Sequence, residues 1–82
     1  MTMETEDQRL AAAIAAGRNV ALFEIRNGHT TPRNWDKDGE HNAGAFSHLA
    51  AIGFTRLGCR TYSQTFIDAY RAVFSYRPEQ WP

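Results

Sequence analysis

The sequence predicts a small α+β domain in the order helix, strand, loop, helix, strand, helix, with the third helix packed across a small sheet. Three observations carry this prediction. NVALFEIRN, residues 19 to 27, is rich in branched and aromatic side chains and runs into Asn27-Gly28, a tight-turn dipeptide. TRLGCRTYS, residues 55 to 63, alternates Thr55, Leu57, Cys59 and Thr61 with Arg56, Gly58, Arg60 and Tyr62, an apolar side against a basic one. Phe66, Ile67, Tyr70, Val73 and Phe74 then recur at helical spacing and form the strongest amphipathic face in the chain. An all-helical arrangement is the alternative, in which residues 19 to 27 form a short capped helix and 55 to 60 a turn.

Each element has a local reason. Thr5 and Gln8 make a capping-box pattern, and Leu10, Ala13, Ile14 and Gly17 follow at helical spacing, so the first helix is expected from about residue 6 to 16 with Gly17 as its stop. The first strand has Val20 and Leu22 on one face and Ala21, Phe23 and Ile25 on the other, with Glu24 and Arg26 reaching solvent at its end. Residues 28 to 41, rich in Gly, Pro, Asn and Asp, read as an exposed loop with room for a short edge strand at 29 to 34. Asn42 caps a second helix whose buried side is Phe46, Leu49, Ala50 and Ile52, and Gly53 followed by Phe54 resembles a Schellman stop. The strand of residues 55 to 63 pairs with the first, since one strand cannot stand alone. Ser63 caps the third helix, Arg77-Pro78 ends it, and EQWP is a short tail.

A chain of 82 residues with 43% hydrophobic and 22% charged side chains can bury one modest core, so the expectation is a single globular domain over residues 1–82. Nine basic residues balance nine acidic ones, which removes the broad positive field that would draw the chain to any nucleic acid or anionic membrane. Only a local patch could supply one: Arg56, Arg60, Arg71 and Arg77 against Asp68 make residues 54 to 77 basic. A single cysteine, Cys59, rules out an internal disulfide and suits a reducing cytosol, and neither an apolar signal region nor a membrane-length apolar run is present, so a cytoplasmic location is expected.

Sites of chemistry are sparse. With Asn34 at the first position of a calcium loop, Asp36, Asp38, Gly39 and Asn42 fall where such a loop needs them, but Ala45 stands in place of the closing bidentate glutamate. Turn formation and capping explain the same residues. His29, His41 and His48 lack metal-ligand spacing, His41 and His48 being about 10 Å apart along a helix. Cys59 with His48 has no nucleophile signature around it, and the glycines form no phosphate-binding loop. No metal, no cofactor and no enzymatic activity are therefore expected.

Two binding functions remain. FSHLAAIGFTRLGCRTYSQTFIDAYR can be read as a helix-turn-helix with its turn at residues 57 to 59 and a recognition helix from Arg60, the DNA-facing residues being Arg56, Arg60, Gln64 and Arg71. Against this, Gln64 falls where the recognition helix needs an apolar residue, Phe54 where the first helix needs a small one, and Gly53 interrupts that helix. The preferred expectation is a non-enzymatic module that covers a surface of a protein partner, as an inhibitor or adaptor of phage or mobile-element type. Arg33 with Trp35, and Arg77 with Trp81, pair the residue types that dominate interface energetics in segments expected to be exposed, unless the Trp rings lid the core. A first strand at a sheet edge also offers a route to a homodimer.

Overall fold

The computed structural model describes residues 5–35 and 43–75, and these form a compact all-α arrangement of three helices: α1 (Glu6–Arg26), α2 (Ala43–Ala51) and α3 (Arg56–Ser75). No strand occurs among the described residues. The α+β expectation is thus overturned, and the all-helical alternative has the right class, although residues 19 to 26 continue the first helix and 56 to 60 open the third instead of turning.

The first correction lies at Gly17. It does not stop α1 but lets α3 touch it, since a Cβ on residue 17 would sit 2.3 Å from the Phe66 carbonyl oxygen and 3.1 Å from Ala69 Cβ. Ala13, Gly17, Ala21 and Glu24 are the buried residues of α1, a stripe of helical period running through the segment expected to be a strand. The helix opens as expected: Gln8 N–H donates to Thr5 Oγ1 at 3.1 Å and Thr5 N–H to Gln8 Oε1 at 3.2 Å. It closes on the dipeptide expected to turn a hairpin. Gly28 N–H donates to the Ile25 carbonyl and His29 N–H to that of Glu24, both at 3.0 Å, a Schellman arrangement that ends a helix.

The second correction is at residues 55 to 63. Their two-residue alternation coincides with a helical set, and Cys59, Tyr62, Phe66, Ile67, Ala69, Tyr70 and Val73 are the buried residues of α3. Thr55 caps this helix in place of Ser63, its Oγ1 accepting from Gly58 N–H at 3.0 Å. The stop of α2 is as expected, with Phe54 N–H on the Leu49 carbonyl and Gly53 N–H on that of Ala50, both at 3.1 Å, and Gly53 at φ +103°. Its buried side is shifted: Ala45 and Leu49 are fully buried and Phe46 half-buried, but Ala50 and Ile52 face outward.

α1 and α3 form the main contact, and α2 packs mainly on α3. Trp35, Leu49, Phe66 and Tyr70 are the largest fully buried side chains, each contributing about 2 to 3 kcal/mol of transfer free energy. Residues 28 to 34 are exposed, as expected of the loop, without the edge strand at 29 to 34. With no sheet edge among the described residues, the edge-pairing route to a homodimer loses its basis. The calcium-spaced residues from Asp36 to Asn42, with His41, lie outside the described residues, as do Arg77, Trp81 and the expected end of α3.

Candidate interaction cleft

The buried stripe of α1 ends in a carboxylate. Among the described residues Glu24 is the buried charged one, and removing a carboxylate from water is tolerable only when both oxygens find donors. One oxygen takes the guanidinium of Arg33 and the other the hydroxyl of Tyr70. Tyr70 Oη in turn accepts the Arg33 backbone N–H at 2.7 Å. The loop after α1 is therefore tied back to α1 and α3 through one carboxylate and one phenol. Burial, and then the hydrogen bond to Glu24, push the Tyr70 hydroxyl up to about 12, so it keeps its proton and can donate.

Trp35 fills the space beneath. It is 1% exposed, with its ring edge-to-face on Phe66 at 5.3 Å and on Tyr70 at 5.1 Å. The Arg33 guanidinium carbon stands 4.8 Å from the centre of the Trp35 ring. Sequence reasoning set these two residues side by side in a segment expected to be exposed, unless the Trp ring lids the core. In the fold Trp35 is the core lid, and Arg33 is the half that stays outside, with its side chain 44% exposed. His48 of α2 stacks on Phe66 at 5.6 Å, and burial followed by the nearby Arg33 charge lowers its pKa, with Glu24 opposing.

Above this network lies an open cleft of about 350 Å3, lined by Asn19, Val20, Phe23 and Glu24 of α1, His29 and Arg33 of the following loop, and His48 of α2. Phe23 on its wall is 67% exposed. Sequence reasoning missed both Glu24, expected at the solvent end of a strand, and Phe23, expected inside. The signal was available: Glu24 continues the helical series Ala13, Gly17, Ala21, and Phe23 falls off it.

The remaining candidates sit elsewhere. Arg56, Arg60 and Gln64 are exposed on α3, the Gln64 amide donating to Asp68 at 2.8 Å, while Arg71 is half-buried. The expected helix-turn-helix register does not form, because residues 57 to 59 lie inside α3. Cys59 is buried, its thiol donates to the Phe46 carbonyl at 3.6 Å, and burial raises its pKa. No group of three or more metal-ligating side chains occurs among the described residues, and no helix among them is long and apolar enough to cross a membrane. Comparison with protein-family models, curated proteins and solved structures found no match to this chain.

Proposed function

We propose that the chain is a protein-binding module whose partner docks on the cleft, with Phe23 and Arg33 as the residues that carry affinity. The supporting observation is the exposed Phe23 ring on the wall of an open cleft beside an arginine already fixed in place. Aromatic and arginine side chains dominate interface energetics when they are anchored centrally. Glu24 and the Trp35 ring hold the Arg33 side chain before any partner arrives, so less side-chain entropy is lost on binding. The cleft's other polar groups, Asn19, His29 and His48, would orient the partner rather than react with it.

The test is capture from native cell extract on immobilised wild-type chain, Phe23→Ala and Arg33→Ala, followed by titration of the retained protein. A specific protein should be held by the wild type, and either variant should weaken it by about 2 kcal/mol, roughly thirtyfold. Undiminished affinity in both folded variants would reject the assignment. Trp35→Ala is not a suitable probe, because it removes a buried core side chain rather than a surface contact.

A further inference from the structure

The three obstacles to a helix-turn-helix in the register expected from sequence disappear in the register that forms. α2 ends at Ala51, α3 begins at Arg56, and the four residues between them include Gly53 at φ +103°. Two contacting helices joined by a short turn containing glycine have the connectivity of the motif. Gly53 now makes the turn instead of breaking a helix. Phe54 sits after the turn, 7% exposed, with its ring on Tyr62 at 5.6 Å, so it fastens the two helices where it was expected to hold them apart. Gln64 lies on the outer face of α3, and the inward positions are taken by Cys59, Tyr62 and Phe66.

That outer face carries Arg56, Leu57, Arg60, Thr61 and Gln64, all exposed, with Leu57 at 73%. From Arg56 to Ile67 the helix has no carboxylate, and the first acid is Asp68. From Leu57 to Gln64 the face extends about 10 Å, the length of three base-pair steps. We propose that the outer face of the N-terminal half of α3, presented by the α2–turn–α3 unit, is a contact surface for the major groove of duplex DNA. It is separate from the cleft of Phe23 and Arg33 and stands independently of the function proposed above.

The residue types fit the occupant. Arg60, in the middle of the face, can pair with a guanine edge through two N–H groups, Leu57 can meet a thymine methyl, and Arg56 can neutralise a phosphate. Gln64 can read adenine only by giving up its hydrogen bond to Asp68, whose charge confines the contact to the first half of the helix. A recognition helix places its N-terminal residues on the bases in the same way. Arg56 alone supplies the phosphate contribution, so binding should weaken with salt by a slope of about one in the logarithmic plot.

The experiment is anisotropy titration of the full chain against a pool of random-sequence duplexes at about 50 mM salt, followed by sequencing of the bound fraction. Binding with an enriched short sequence is expected. Arg60→Ala should lose at least tenfold in affinity for the enriched sequence and erase the enrichment, Arg56→Ala should lower the salt slope by about one, and Phe23→Ala should change neither. Arg18→Ala, an exposed arginine on α1, is the charge control. Absence of binding at low salt, an equal loss in Arg18→Ala, or enrichment surviving Arg60→Ala in a folded variant would overturn the proposal.

Discussion

The two halves of α3 are fixed by different physics. Its N-terminal half meets α2 through Leu49, Phe54, Cys59 and Tyr62, all buried, and through the backbone hydrogen bonds of the Gly53 stop. Its C-terminal half meets α1 and the following loop through Phe66 and Tyr70, and there a buried carboxylate, a phenol and an arginine share hydrogen bonds above the Trp35 ring. The apolar half depends mainly on shape, and burial pushes its Cys59 thiol up. The polar half depends on the Tyr70 hydroxyl keeping its proton, and it is the half that shapes the cleft. Rigid apolar packing thus presents the α3 face, while an ionisable network positions Arg33.

The largest blows to either half should be similar in size. Trp35→Ala and Phe54→Ala each empty a buried aromatic site, and each should cost about 3 to 5 kcal/mol in urea unfolding. They separate by place: Trp35→Ala should also increase amide exchange in residues 29 to 33, whereas Phe54→Ala should leave that segment protected.

Tyr70→Phe touches the polar half alone. It leaves the Arg33 N–H and one Glu24 oxygen without the hydroxyl, a loss of about 1 to 3 kcal/mol. It should also alter the alkaline limb. The folded chain keeps the Tyr70 proton to about 12, against 10 for the ordinary group, so between these values the folded state binds more protons and stability falls as pH rises. The contribution is complete below pH 10 and is lost through that window. Melting temperature measured from pH 9 to 12 should show this decline in the wild type and in Phe54→Ala, and a flatter course in Tyr70→Phe.

Gly53→Ala probes the turn of the apolar half. Its φ of +103° is a strained setting for any L side chain, and the variant should lose about 1 to 2 kcal/mol in the same unfolding assay without any change in pH profile. The smallest effect should come from His48. Its pKa is lowered by burial against Phe66 and by Arg33, so the unfolded chain takes up the proton first as pH falls below 6.5, and stability declines through the interval down to the lowered value. His48→Gln should flatten that acid limb, read from melting temperature between pH 7 and 5. Phe54→Ala should retain it.

The features legible before folding were those decided within a few residues. The Thr5 and Gln8 box, the Gly53 stop and the face of Phe66, Ile67, Tyr70 and Val73 all formed as the spacing predicts. Residues 19 to 27 and 55 to 63 misled because short nine-residue segments fit a strand and a helix equally well on local pattern. At Asn27-Gly28 the same dipeptide serves a hairpin or a helix stop, and the continuing stripe Ala13, Gly17, Ala21, Glu24 decides between them. Of the cleft, the closeness of Arg33 to Trp35 was legible, but the Arg33 partner Glu24 lies nine positions away and Tyr70 thirty-seven.

By itself the amino-acid order determined the caps, the helix stops and the strongest apolar face, because hydrogen bonds and side-chain contacts across three to five positions settle them. Only the tertiary structure decided that α1 runs on past Gly17, that Trp35 goes in and Phe23 stays out, and that a carboxylate is buried at Glu24. Those outcomes hang on what α3 brings across: a backbone close enough to require a glycine, and a phenol placed to satisfy a charge that could not otherwise leave water.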